Sequence, residues 1–187
     1  MRHLSCPACG SRVFFENYTC LACGAHIAFS PEASQMAALF GEGAVVACAN
    51  RGQFVCNWAT GDDQPLCRSC RLDSVIPNLS FAGNLERWQR IEQAKRRVVY
   101  DFMRFGLPIE ARDSANPGAL TFHFLSTDLA AAPVMTGHDS GLVTLDIAEA
   151  DDAVREHRRT EMREPYRTLV GHFRHELAHY YFERLVL

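Results

Sequence analysis

All eight cysteines of this 187-residue chain lie within its first 70 residues, and none occurs in residues 71–187. Clustering of this kind marks a local cross-linking chemistry, and the compartment decides which one. The amino terminus, MRHLSCPACG, runs from one basic residue directly into cysteine pairs without the apolar stretch of a secretory signal. A cytoplasmic, reducing location is therefore expected, where paired cysteines act as thiolate metal ligands. Export would restore a disulfide framework as the competing reading.

Cys6-Pro7-Ala8-Cys9-Gly10 and Cys20-Leu21-Ala22-Cys23-Gly24 are two C-x-x-C-G units. Between them SRVFFENYT is rich in strand formers around a polar Glu16-Asn17 turn. The spacing lets both sulfurs of a unit reach one tetrahedral ion at about 2.3 Å, and the glycine permits the tight turn whose amides face those sulfurs. Cys6, Cys9, Cys20 and Cys23 thus predict a zinc ribbon over residues 1–30. A closed four-cysteine site leaves no coordination position for water, so its role is structural, replacing a core that thirty residues cannot build. A redox dithiol pair is the other reading.

The second set is Cys48, Cys56, Cys67 and Cys70. Only Cys67-Arg68-Ser69-Cys70 has knuckle spacing, and Cys48 and Cys56 flank a stretch that reads as a hairpin turning at Asn50 to Gly52. Opposed strands bring the two sulfurs together, predicting a second structural four-cysteine zinc site, with free buried cysteines as the alternative. This module and a linker are expected over residues 31–83. With eight cysteines in two sets, His3, His26 and Trp58 are read as surface or packing residues rather than ligands.

Further along, helical periodicity runs from Leu85 through Trp88, Ile91, Val98 and Phe102 to Phe105, with Asn84 as the N-cap. Within it, Lys95-Arg96-Arg97 reads as a solvated face rather than a polyanion contact. Strands are expected over 120–125 and 141–147, with 130–140 as their connection. A helix follows from Ala148, and a last one over 166–186, with Pro165 in its first turn. The fold class is α+β. Net charge is −3, and residues 1–30 hold Arg2 and Arg12 against Glu16, which disfavours nucleic acid as a partner. No apolar run is long enough to cross a bilayer, so no membrane association is expected.

The last helix contains His175-Glu176-Leu177-Ala178-His179, an H-E-x-x-H pattern. Histidines four apart stand about 6 Å apart along a helix axis on nearly one face, so both imidazoles can bind one zinc ion. Glu176 is then the general base beside them. The competing reading is a solvent-exposed histidine pair without metal. Apolar neighbours Leu169, Val170, Phe173, Tyr180 and Phe182 predict a buried helix instead, with the histidines and Glu176 buried together and a metal compensating them. A third ligand must come from another segment, because His172 lies about 10.5 Å along the axis from His179. Glu183 is separated from His175 in the same way.

The blocks CPACG, FENYTCLACG, CANRGQFVCNW, LCRSCRL, AKRRVVY, TGHDSGLVTLDIAEADDAVRE and EPYRTLVGHFRHELAHYY, in that order, resemble a family of bacterial zinc-binding metallopeptidases with an amino-terminal zinc-ribbon region. The resemblance covers nearly the whole chain. It implies small β-rich zinc-ribbon modules followed, over 84–187, by the amino-terminal part of a zincin-like domain. His175 and His179 match its zinc ligands and Glu176 its catalytic acid/base. It also implies that an acidic third ligand follows this helix, in a region the sequence lacks, and that strand 141–147 binds substrate in extended form. Ala178, Phe182 and Glu183 stand where the family tends to have glycine, tryptophan and aspartate.

Zn2+ is the expected cofactor, with two structural ions and one catalytic ion. Two functions compete: peptide-bond hydrolysis by the complete form, with a peptide or protein substrate and little activity in these 187 residues alone, or a zinc-ribbon module that binds a protein partner without catalysis.

Overall fold

The structure, a computed structural model, describes residues 3–61, 63–127, 134–162 and 168–186. Its contacts divide the α+β chain into two compact units, Met1–Arg71 and Leu72–Leu187.

In the first unit, β1 (Leu4–Ser5) pairs antiparallel with β2 (Arg12–Val13), and β3 (Ile27–Ser30) with β4 (Gln35–Ala38). Such short strands bury little by themselves. Phe29 on β3 packs against Phe15 and Trp58 with ring centroids 4.9 and 5.3 Å away. Asn57 adds a hydrogen bond from Nδ2 to the Phe15 carbonyl at 2.6 Å, so one small aromatic core serves both cysteine-rich stretches. The hairpin expected around Asn50 is absent. Residues Ala49–Gln53 form a 3-10 turn that ends at Phe54 in the left-handed region (φ 56°). A turn of this pitch returns the chain within a few residues, which brings Cys48 and Cys56 together without opposed strands.

The second unit is built on a four-stranded sheet of order β5-β6-β8-β7, from β5 (Asp73–Val75), β6 (Thr121–Leu125), β7 (Gly137–Asp139) and β8 (Leu142–Asp146). β5, β6 and β8 are parallel, and β7 is an antiparallel edge. Neither β5 nor β7 is apparent from periodicity, each being three residues long. β7 joins β8 through Ser140 and Gly141, both at positive φ (49° and 85°), the two-residue hairpin turn whose twist matches that of the strands. A Cβ on Gly141 would stand 2.6 Å from the Gly118 carbonyl oxygen, so this position requires glycine.

Register places Phe122 beside Val143 and Phe124 beside Leu145, with all four side chains buried. Phe173 stands edge-on to Phe122 and Phe124, which seats helix α3 (Leu169–Leu185) on that face of the sheet. Burying such a ring contributes about 1.5–3 kcal/mol. Helix α1 (Asn84–Arg104) covers the same face, with the Lys95 ammonium 5.5 Å from the ring centroids of Phe122 and Phe124. Its N-cap is Gly83 rather than Asn84, because the Asn84 side chain turns away to donate to the Asn78 carbonyl at 2.9 Å.

The solvated face expected of Lys95-Arg96-Arg97 is overturned for two of the three. Lys95 is 0% and Arg96 2% exposed, and only Arg97 reaches solvent. The reason is a pair of buried carboxylates: Lys95 bonds Asp73 on β5 and also Glu92 one turn earlier, at 2.6 Å. A second buried network anchors α2 (Asp152–Met162), where Arg158 donates to Asp146 at 2.8 Å and Glu149 at 2.7 Å. Asp146 also caps the short 3-10 turn Ile147–Ala150 by accepting from the Ala148 amide. α3 begins at Leu169, where the Thr168 hydroxyl accepts from the Gly171 amide at 2.9 Å. The expected start at 166 and the role of Pro165 lie outside the described residues. No helix among these residues is long and apolar enough to cross a membrane.

Candidate metal centres

In the first cluster the two knuckles repeat one hydrogen-bond pattern. The Gly10 amide donates to the Cys6 carbonyl at 2.9 Å and Gly24 to Cys20 at 2.8 Å, both glycines lying near φ 75°. The amides of Cys6 and Cys20 close each loop on Ser11 and Ala25 at 2.8 Å. The sulfurs of Cys6 and Cys23 are 3.7 Å apart, those of Cys9 and Cys20 3.8 Å. A tetrahedron with metal–sulfur bonds of about 2.3 Å has edges of about 3.8 Å, so the cluster has the dimensions of a four-cysteine zinc site. Cys6 and Cys20 are buried, whereas Cys9 and Cys23 face solvent. As a free thiol, Cys9 is held down to about 6 by the hydroxyl and amide of Ser11. At Cys23 the Ala25 amide favours the thiolate, but the other three cysteines of the cluster and burial together outweigh it and push the thiol up to about 12.

The second cluster joins Cys48, Cys56, Cys67 and Cys70, all buried, with the four sulfurs within 4.8 Å of one another. Cys56 and Cys67 are 3.6 Å apart. Amides of Trp58 and Cys67 donate to the sulfurs of Cys56 and Cys48 at 3.4 Å, the outer-shell bonds that tune a thiolate site. Hydrogen bonds from Cys56, Cys67 and Cys70 hold the Cys48 thiol far below its ordinary range, while burial pushes Cys56 and Cys67 well above theirs. Four thiols so close cannot all ionise alone, and a divalent ion resolves the conflict. Burial lowers the Arg51 pKa, against which the charges of Tyr18 and Cys56 act. Its guanidinium donates from Nη2 to the Tyr18 carbonyl at 2.7 Å and lies over the Tyr18 ring, contacts its position in an expected turn did not suggest. The two clusters fit two structural zinc sites.

Helix α3 carries the remaining candidate. Phe173, Glu176, Leu177, Tyr180 and Tyr181 are buried at three- and four-residue spacing, and Arg174, His175, Ala178, His179 and Phe182 form the opposite, exposed stripe. Joint burial of the triad is therefore corrected: Glu176 is 8% exposed, but both histidines face outward. Each residue step turns the helix by about 100°, and the inward stripe is centred between residues 176 and 177, which leaves 175 and 179 on its outer side. Their Nε2 atoms are 3.2 Å apart, close to the edge of about 3.3 Å expected for two imidazoles on one tetrahedral zinc. Among the described residues no third histidine, cysteine or carboxylate groups with this pair at ligand distance.

The strand expected to bind substrate, 141–147, is in fact interior: β8 is paired with β6 on one side and β7 on the other. Its backbone groups are already used. The edge nearest α3 is β7, which sequence reading had placed in a connection. There the His138 ring lies parallel to that of His179, with ring planes 8° apart and centroids 6.5 Å apart. A histidine in a three-residue strand carries no periodic signal by which to find it.

Comparison with known proteins bears on both units. The zinc-ribbon domain pattern matches residues 3–81, and the pattern of the family described as "Putative zinc-binding metallo-peptidase" matches residues 84–187. An uncharacterized protein of Mycobacterium bovis and uncharacterized proteins of two Mycobacterium tuberculosis strains are each 44% identical over 188 residues. The match takes in 100% of this chain and 54% of each relative, so the chain spans about half the length of the curated relatives it matches. No solved structure matches it significantly. With its helix histidines at zinc-ligand spacing and its family pattern spanning more than half of the residues, the chain belongs to this zinc-binding metallopeptidase family and carries a zinc-ribbon domain ahead of it.

Proposed function

We propose that this chain is part of a zinc-dependent peptidase, in which His175 and His179 hold the catalytic ion and Glu176 moves the protons of peptide hydrolysis. The observation that carries the reading is the 3.2 Å separation of the two Nε2 atoms on one exposed helix face, with Glu176 next to His175 in the chain. A zinc ion there supplies Lewis-acid polarisation of a carbonyl oxygen and of water. The Glu176 carboxylate takes the proton of the attacking water and returns it to the leaving amine. β7 binds the peptide in extended form along its outer edge, because among the described residues it has a strand partner only on the β8 side. The occupant is a peptide or protein substrate, and the reaction belongs to a cytoplasmic setting.

Two imidazoles alone hold zinc weakly, so residues 1–187 by themselves are expected to hydrolyse peptides slowly unless another polypeptide segment supplies a third ligand. The test is metal content per chain. At free zinc high enough to fill a weak two-imidazole site, three ions, falling to two when His175 and His179 are both replaced by Ala, support the reading; two ions in both forms overturn it. In the full-length protein, Glu176→Gln is expected to abolish peptide hydrolysis while leaving the metal count unchanged.

A further inference from the structure

The inward row of the sheet runs from Phe122 on β6 to Val143 on β8 and ends on edge strand β7 at His138, a polar residue in an apolar position. The His138 side chain is only 3% exposed. Its Nε2 accepts the Gly141 amide at 2.9 Å, which requires a lone pair there and places the ring proton on Nδ1. That nitrogen faces Glu183 Oε1 at 3.7 Å, one helical turn beyond His179. The ring itself lies nearly parallel to His179, and Tyr180 stands edge-on to it at 6.1 Å. His138 thus faces His179, Tyr180 and Glu183 of α3 while tied to the turn that ends its own strand.

We infer that His138 is a positioning residue: it holds the His179 imidazole in its ligand orientation from the edge strand, and couples that strand to the helix through Glu183. The inference rests on the reading that His175 and His179 bind a metal ion. His138 is not itself a ligand of that ion, since Nε2 is committed to Gly141 and Nδ1 points toward Glu183. Outer-shell partners of metal-binding histidines fix ring orientation, and their loss typically weakens metal binding tenfold or more. His138 acts through ring contact rather than through a direct hydrogen bond to the ligand. An ordinary core histidine would stabilise the sheet without affecting His179.

The experiment uses the whole chain with both four-cysteine sites filled with zinc. Co2+ is titrated against a competing chelator, and the imidazole 1H–15N signals of His179 are recorded before any Co2+ is added. His138→Ala is expected to weaken Co2+ binding by about tenfold and to shift the His179 signals. His138→Asn, which keeps a donor near the Nδ1 position, is expected to recover part of both. Val143→Ala removes the next side chain in the same inward row and is expected to change neither, although it loosens the sheet. Equal losses in Val143→Ala and His138→Ala, or unchanged affinity and signals in His138→Ala, overturn the positioning role. A wild-type chain that binds no Co2+ dependent on His175 and His179 overturns the metal reading instead, and the His179 signals alone then decide whether His138 orients that ring.

Discussion

The unit of residues 3–71 contains eight cysteines and, among the described residues, four strands of two to four residues and a cluster of three aromatic rings, whereas the unit from Leu72 onwards has no cysteine and, among its described residues, a four-stranded sheet and three α-helices. The first is held by what its sulfurs bind. The second is held by Phe122, Phe124, Val143, Leu145 and Phe173, with charged side chains buried among them. The difference teaches where metal dependence should stop: removing zinc acts on one unit, and changing a core side chain acts on the other.

Chelation offers the largest effect by which to break that contrast. A structural zinc ion contributes on the order of 10 kcal/mol to the folding of a small domain, more than three aromatic rings can replace. Stripping both ions is expected to unfold residues 3–71 while β5, β6, β8 and α1 stay protected. Hydrogen exchange resolved by segment measures this directly, and equal loss of protection in both units would break the division.

Next in size is Lys95→Met. It leaves Asp73 and Glu92, 3% and 0% exposed, without the buried ammonium that bonds both. Removing one partner from such a group costs about 3–5 kcal/mol, here read as a lower urea midpoint for the second unit with the zinc count unchanged. Arg158→Met acts in the same direction on Asp146 and Glu149. Its effect is expected to be smaller, because Arg158 is 27% exposed and water can take over part of its role.

The same contrast explains how much was legible in the sequence. The C-x-x-C-G units could be read because a knuckle is local: five residues contain both sulfurs, the glycine and its amide bond. In the second cluster the ligands could be chosen but their framework could not, since Cys48 and Cys56 are joined by a 3-10 turn where a hairpin was equally consistent with the letters. Lys95 and Arg96 were misread because their burial depends on tertiary partners, Asp73 for Lys95 being 22 residues earlier on a strand too short to show a period. The H-E-x-x-H spacing correctly placed two imidazoles together, but the apolar letters around it did not say which face of α3 turns inward. Position 138 was unreadable for the same reason as β7 itself.

Within the first unit the two clusters should also separate. Cys9 and Cys23 face solvent, whereas all four sulfurs of the second cluster are buried. A chelator or proton reaching a sulfur must first find it exposed, and protonated thiols no longer ligate. Zinc is therefore expected to leave in two phases as chelator is added or pH is lowered, the earlier phase from the more regular cluster. Cys9→Ser should accelerate that phase alone, followed with a chromophoric zinc indicator. A single phase would mean that the buried cluster opens with its neighbour and that regular spacing carries no kinetic distinction.

The smallest effect concerns how the histidine helix is anchored. α3 owes its first turn to the Thr168 hydroxyl, which accepts the Gly171 amide, and its inward stripe to Phe173. Thr168→Ala removes one cap and is expected to cost about 1 kcal/mol, with Thr168→Ser nearly neutral because serine keeps the oxygen. His175 lies two turns further along and His179 three, so fraying confined to the first turn should leave their 3.2 Å separation, and any metal they bind, unchanged. Thermal unfolding together with a Co2+ titration distinguishes the cases. If Thr168→Ala weakens metal binding as strongly as it lowers stability, the helix moves as one body and its register against the sheet is set at the cap; if only stability falls, the site is fixed further along, where Phe173 meets Phe122 and Phe124.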